Sequence, residues 1–399
     1  MFLKVVPVEK ALESARDIAV LTGEETIPLR KSYGRILAHD IYTDNEIPEF
    51  SRSSVDGYAL IASDTFDASN TNPAILVIRG EIRIGQPVTT PLINGDGYYI
   101  PTGGMVPPGT DAIVMIEHCS REGDHLLIKK PVAPGENLVK AGEDFGKGEK
   151  IFSGGRKLSI QDTGALAATG IVSVPVRKKP KIGIISTGGE LVSPELNPGP
   201  GQVRDVNSSI CYAFLVENNC SPIEYGIVSD NVPELKEILL TALNECDAVL
   251  ISGGSSKDVH DITSQVISDL GKVIVHGIAL APGKPTIIGQ INKIPVIGLP
   301  GHPASAFVVL KIIVMELINR MLGSKSKDSY RVKAHMETSV SSVRGREDYV
   351  RVVLYGNNAV SVPGKSGLLN TLVRSDGMIK IPAQADGIEK GDLVEIQLW

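Results

Sequence analysis

DAVLISGGSSKDVHD occupies residues 247–261, and IPVIGLPGHPASAF occupies residues 294–307. Each runs from a short apolar stretch into a Gly-rich turn. Residues 248–251 and 295–299 read as buried strands, halted by Ser252-Gly253-Gly254 and by Pro300-Gly301-His302-Pro303. The apolar stretch 304–322 predicts a helix, with Pro303 suited to its first position because that N–H has no helical acceptor. A strand that ends in small residues and opens a helix leaves backbone N–H groups facing outward, where they attract anions. One such turn reads as ordinary turn chemistry. Two of them, with Lys284 in a third Gly/Pro turn (IALAPGKPTIIG, residues 278–289), point to an oxyanion or phosphate site. Neither GxxxxGK[ST] nor GxGxxG occurs, so the common nucleotide folds lack their motifs.

Upstream, KIGIIS (181–186) predicts a buried strand with STGGEL as its turn. A helix over 207–218, a strand over 222–228 that runs out toward Asp230, and a helix over 232–243 follow. This alternation predicts a doubly wound parallel sheet with its ligand crevice outside the carboxyl ends of the strands. Thr187, Glu190, Asp230, Asp261 and the Gly253-Gly254 turn all follow strands closely, so the rule brings them toward one crevice. The basic VPVRKKPK (174–181) reads as a connector and a domain boundary.

The first part of the chain differs in rhythm. Residues 8–21 predict an amphipathic helix, and 36–41 a strand. Asp56-Gly57 reads as a turn feeding the strand 58–61, a candidate site because a Ser-rich loop precedes it. Residues 73–135 alternate short apolar runs with Gly and Pro, as in an all-β module, and leave the Thr102 hydroxyl at a Gly-rich strand end. Ala141-Gly142-Glu143-Asp144 is an acidic loop before a strand at 150–152, and a helix opens near Ser159 with Gly170 as its stop. After a polar linker at 324–328, the runs YVRVVLY, AVSVPG, MIKIPA and LVEIQLW predict a small β-barrel. Arg346 and Arg351 read as ordinary surface arginines on their own.

At 399 residues the chain exceeds one ordinary core, and two to four domains are expected. A net charge of −6 with no basic stripe argues against nucleic acid as a partner. The four cysteines lack C-x-x-C spacing and read as reduced, buried thiols of a cytoplasmic protein. The seven histidines form no zinc motif, the N-terminal stretch has no signal-peptide core, and no apolar run is long enough to span a membrane. Carboxylates beside a phosphate-shaped site suggest a divalent cation, Mg2+, shared between protein and ligand. Lys284 would add positive charge and Arg346 a planar fork. No Ser/His/Asp order or Cys/His pair stands out, so positioning of anions fits better than covalent catalysis.

PEFSRSSVDGYA, IPTGGMVPPGTDAIVMIE, AGEDFGKGE, ISTGGEL, GQVRDVNS, SGGSSKDVHD, PGKPT and GLPGHPASA occur in the order seen in the molybdopterin molybdenumtransferases. The chain resembles that family, the molybdenum insertases of cofactor biosynthesis, over essentially its whole length, and is similar to the C-terminal domain of gephyrin. The resemblance implies insertion of molybdate (or tungstate) into adenylated molybdopterin with release of AMP and with Mg2+ involved. It implies a discontinuous N-terminal domain (1–44 and 140–177), an inserted β domain (45–139), an α/β domain (178–324) and a C-terminal barrel (325–399). It also implies a homodimer with sites between subunits, and transient contact with the pterin adenylyltransferase is expected. Carried onto this chain, Asp56, Thr102, Asp144, Glu190, Asp230 and Asp261 are the catalytic candidates, with Asp230 and Asp261 holding Mg2+. Thr187, Gly188, Gly253, Gly254, Ser255, Ser256, Lys284, Pro285, Pro300, Gly301, Pro303 and Ser305 would contact the substrate. Lys284, Arg346 and Ser366 would form the oxyanion pocket.

Four departures stand out. Gly189 replaces the Asp of STGDEL, Ser255-Ser256-Lys257-Asp258 replaces the VSVG of GGVSVG, Ala281 replaces the first Lys of KPGKP, and His302 replaces the Asn of GNP. Ala281 removes a positive charge near the expected oxyanion. The alternatives are a molybdopterin adenylyltransferase, which shares the α/β module, and a non-catalytic pterin-binding or scaffold homologue. Full flanking regions count against the first, and retained carboxylates against the second.

Overall fold

The structure, a computed structural model, describes residues 5–253, 257–325 and 330–399, without the side chains of 257–261. The chain forms two compact units. One comprises Met1–His39, Gly155–Ser159 and Ser173–Trp399, and the other Asp40–Gly154 and Ile160–Val172.

The larger unit is built on a six-stranded sheet. Its strands are β1 (Lys181–Thr187), β2 (Ser221–Val228), β3 (Ala248–Gly253), β4 (Lys272–His276), β5 (Ile287–Ile291) and β6 (Ile294–Leu299). The order is β2-β1-β3-β6-β5-β4. The first four run parallel, and β5 and β4 extend the sheet antiparallel. β3 and β6 read as continuous apolar runs because helices cover both faces. Helices α1 (Asn207–Glu217) and α4 (Pro303–Val309), joined by the N-terminal helix Val8–Ile18, pack on one face around Ile182, Ile184, Leu250 and Ile297. Helices α2 (Val232–Glu245) and α3 (Lys257–Leu270) cover Ile185, Val249, Ile251 and Val296 on the other. A π-helical turn, Leu310–Val314, interrupts the run from α4 into Met315–Met321.

A closed barrel completes this unit: β7 (Arg331–Met336), β8 (Glu347–Tyr355), β9 (Asn358–Ser361), β10 (Gly377–Ile381) and β11 (Leu393–Leu398). The order β8-β9-β7-β11-β10 closes through β8–β10. Its interior is Ala334, Met336, Val352, Ala359, Ile379 and Ile396. The opening strand β7, RVKAHM, escaped the sequence reading because Arg, Lys and His alternate with its inward residues. The stretch read as a basic connector is also a strand over Ser173–Arg177, paired antiparallel with Glu24–Pro28. Val174 and Val176 are fully buried, and period-2 burial outweighs the charged residues that follow. The strand expected over 36–41 shrinks to Ile41–Tyr42, with single bridges at Ile36 and Leu37.

The smaller unit holds a six-stranded sheet ordered Ala112–Met115, Gly57–Leu60, Asp96–Ile100, Ala74–Glu81, His125–Ile128, Cys119–Glu122, with the helix Ile160–Ala168. Gly57 is demanded by strand approach: a Cβ there would lie 2.0 Å from the Val114 carbonyl oxygen. Asp56-Gly57 is therefore the mouth of a central strand, in keeping with a turn that feeds a strand. Among the described residues no helix is long and apolar enough to cross a membrane.

Candidate functional site

Parallel pairing aligns the carboxyl ends of β1, β2 and β3. Thr187 is in register with Val228 and with Gly253, and Ser186 with Ser252. Beyond β1 the chain turns so that the Gly189 N–H donates to Asp230 Oδ2 at 3.1 Å, and the Val203 N–H donates to the Glu190 carbonyl at 2.8 Å. Thr187, the Gly188–Glu190 turn, Asp230 and Gly253 thus share one end of the sheet. Asp230 is exposed and Glu190 half-buried. Gly254, Ser255 and Ser256 lie outside the described residues, as does the side chain of Asp261, which falls within α3.

Asn207 opens α1 and organises this end of the sheet, although it was not among the candidates. Its Nδ2 donates to Ser252 Oγ at 2.8 Å and to the Gly301 carbonyl at 2.9 Å. It thereby ties the β3 strand end to the turn after β6. Its place in GQVRDVNS was the available signal. Three buried polar atoms here have no partner among the described residues: Ser186 Oγ, Thr187 Oγ1 and Asn207 Oδ1. Buried polar groups are nearly always hydrogen-bonded, so a cluster of orphans at the carboxyl ends of strands marks where a polar ligand would complete them. A cavity of about 760 Å³ adjoins it, with Ser186, Asp205, Ser208, Tyr212 and Glu224 in its wall and no Lys or Arg among its lining residues.

A second cluster gathers where the barrel meets the sheet domain. Leu280-Ala281 pairs with Glu347-Asp348, which brings the Lys284 turn beside the start of β8. Gly283 has φ +133°, and a Cβ there would press to 2.8 Å of Leu280 and 3.0 Å of Val309, so only glycine makes this turn. Lys284 is exposed, and its carbonyl accepts the Ile278 N–H at 2.9 Å. Ser366 arrives from the barrel loop: its carbonyl accepts the Ala304 N–H at 3.1 Å, and its Oγ lies 2.8 Å from His302 Nδ1. Pro300 and Ser305 are buried in the same turn, and Gly301, Pro303 and Pro285 are half-buried. Arg346 is already engaged, with Nε 2.8 Å from Asp348 Oδ1 and Nη2 3.3 Å from Oδ2. Arg351, read from sequence as a surface residue, is 7 % exposed.

Asp56, Thr102 and Asp144 belong to the smaller unit. Asp56 Oδ1 accepts the Thr102 N–H at 2.6 Å and its hydroxyl at 2.9 Å. Those bonds, the backbone one first, hold the exposed Asp56 carboxyl below the usual range. Asp144 is exposed on a loop pinned to Ile47, whose carbonyl accepts the Asp144 N–H at 2.9 Å. Among the described residues, no group of three or more His, Cys, Asp or Glu is disposed to hold a metal.

A sheet with a crevice of orphaned polar atoms, joined to a barrel loop beside a lysine turn, is built to take a polar ligand. Family models agree: the chain matches the MoeA N-terminal region (domain I and II) over 6–170, a probable molybdopterin binding domain over 183–320 and the MoeA C-terminal region (domain IV) over 333–399. The chain belongs to the molybdopterin molybdenumtransferase family, and is an enzyme of that class. It is 30% identical to the molybdopterin molybdenumtransferase of Haemophilus influenzae, over 94% of each chain. It is 35% identical to a Methanocaldococcus jannaschii protein whose name places it in molybdopterin biosynthesis, over 93% of this chain and 91% of that one. The crystal structure of a molybdopterin biosynthesis moeA protein from Pyrococcus horikoshii OT3 matches with a TM-score of 0.90 at 34% identity, over 99% of this chain and 100% of that one. A role in molybdenum cofactor biosynthesis follows from the family.

Proposed function

We propose that this protein inserts molybdate or tungstate into adenylated molybdopterin and releases AMP. The observation that carries this reading is the trio of buried, unpartnered polar atoms, Ser186 Oγ, Thr187 Oγ1 and Asn207 Oδ1, at the carboxyl ends of the parallel strands. They await a polar substrate. The neighbouring cavity carries hydroxyls and carboxylates without Lys or Arg, which suits an uncharged ring bearing N–H donors more than a phosphate.

Asp230, an exposed carboxylate at the strand end, fits the hard-oxygen donor set of Mg2+, and Asp261 is assigned as its partner. When bound, Mg2+ would supply charge neutralisation at the phosphoanhydride. Gly253, Gly254 and Ser255 would cradle the pterin phosphate beside Ser256, and Glu190 would be a further catalytic carboxylate. Lys284, Arg346 and Ser366 would hold the tetrahedral oxyanion against the turn that carries Pro300, Gly301, Pro303 and Ser305. Asp56, Thr102 and Asp144 would approach from the partner subunit of a homodimer. The four-domain division at 44/45, 139/140, 177/178 and 324/325, a cytoplasmic location and transient contact with the pterin adenylyltransferase belong to the same reading.

The test is AMP release from adenylated molybdopterin by the purified chain with Mg2+ and either oxyanion. Release that depends on molybdate or tungstate is expected. Tight pterin binding without release under either would sink the insertase reading in favour of a carrier.

A further inference from the structure

Arg351 is a buried cation with no counter-ion among the described residues. Its residue is 7 % exposed, Nη2 donates to the Gly364 carbonyl at 3.2 Å, and Nε has no partner. No carboxylate of the described residues forms an ion pair with it, and burial alone pulls its pKa down. Other buried or half-buried arginines here do find acids: Arg35 reaches Glu25 at 2.6 Å and Arg177 reaches Glu24 at 2.9 Å.

Leaving a guanidinium unpaired in the interior lowers stability, and an apolar side chain of similar volume would be tolerated as well or better. The position of the charge suggests what it serves. Arg351 points away from the barrel core, which takes Val352 from the neighbouring position. Its side chain holds the Gly364 carbonyl, and its own carbonyl accepts the Val362 N–H at 2.8 Å. The loop so gripped is Gly364-Lys365-Ser366-Gly367, which meets His302 and Ala304. Gly364 packs closely on Thr371, since a Cβ there would lie 2.4 Å from Thr371 Cγ2. Arg346, the expected anion fork, spends its guanidinium on Asp348, and Ala281 supplies no charge. The cations left at the loop, Lys284 and Lys365, are exposed to solvent, and a buried charge is screened far less than an exposed one.

We propose that Arg351 is an electrostatic positioning residue whose buried charge makes the Gly364–Gly367 loop an anion site and is neutralised when a tetrahedral oxyanion binds. This rests on the reading that Ser366 and Lys284 take the oxyanion. Arg351 does not touch the anion itself.

The test measures oxyanion-dependent thermal stabilisation of the full chain by sodium molybdate and tungstate at constant ionic strength, with chloride as the reference anion. R351M and R351Q should raise the half-stabilising oxyanion concentration at least tenfold, and R351K should stay within about threefold of wild type. Without oxyanion, R351M should melt no lower than wild type. Retention of wild-type oxyanion response in R351M would overturn the proposal. So would R351Q matching R351K, since the hydrogen bond and not the charge would then matter, or loss of folding in both R351M and R351Q. If wild type shows no oxyanion-specific stabilisation, the oxyanion pocket itself fails. Stabilisation of wild type and R351M alike would leave the pocket standing and remove Arg351 from it.

Discussion

His302 Nδ1 lies 2.8 Å from Ser366 Oγ, so one hydrogen bond joins the turn after the last sheet strand to a loop of the barrel. A Cβ at Gly367 would stand 3.6 Å from the ring, an ordinary contact, so the ring sets no demand for glycine there. S366A is expected to weaken oxyanion dependence roughly fivefold, the scale of one hydrogen bond of about 1 kcal/mol. H302L should have the same effect, and the double variant should be no worse than either single one. H302N, whose amide nitrogen takes the place of Nδ1, should recover most of the loss. Additive effects of the two single variants in steady-state kinetics would separate His302 from Ser366.

The Asp56–Thr102 pair predicts a titration. Thr102 depresses the Asp56 pKa through its backbone N–H and then its hydroxyl. A depressed carboxyl contributes stability above its ordinary value, and that contribution is lost as pH falls through the folded value. T102V should raise the Asp56 pKa part of the way toward normal, because the backbone bond survives. Carboxyl chemical shifts followed by NMR against pH would show it; an unmoved titration would mean that the hydroxyl contributes nothing.

Asn207 satisfies Ser252 Oγ and the Gly301 carbonyl with one amide. N207A should destabilise the larger unit by about 1–3 kcal/mol, since both buried partners lose their donor. N207D keeps the shape but replaces the donor with a carboxylate, and should be no better. An unchanged melting temperature by calorimetry in both variants would show that water replaces the amide.

Three thiols are held neutral. Burial pushes Cys119, Cys211 and Cys220 up to about 12, and Cys246 is raised in the same sense. Cys119 is only half-buried, in contrast to the sequence expectation for all four. At pH 8 roughly one part in ten thousand of such a thiol is thiolate. Native protein should resist a disulfide-exchange reagent, with all four thiols reacting after unfolding. Fast native labelling at Cys119 would contradict its desolvation.

Much of the site region was legible in advance, because it is written in local terms. Strand 181–187 and the turn at 188–190 follow from apolar runs stopped by glycine. Asp56-Gly57 was legible as a turn feeding a strand, which opens at Gly57, but the demand for glycine comes from contact with Val114, which no neighbour in sequence could reveal. β7 and the pairing of Ser173–Arg177 were missed because charged residues masked a period-2 pattern.

Sequence by itself determined where chain direction changes and which segments must be covered on both faces, since those depend on backbone stereochemistry and on apolar periodicity within ten or so residues. Only the tertiary structure decided how polar groups are spent. Asn207 meets Ser252 from 45 positions away, and His302 meets Ser366 from 64. Arg346 is engaged by Asp348 while Arg351 is left without an acid. A hydrogen bond or an ion pair acts over about 3 Å, so its presence is a property of the packed chain and not of any stretch of it.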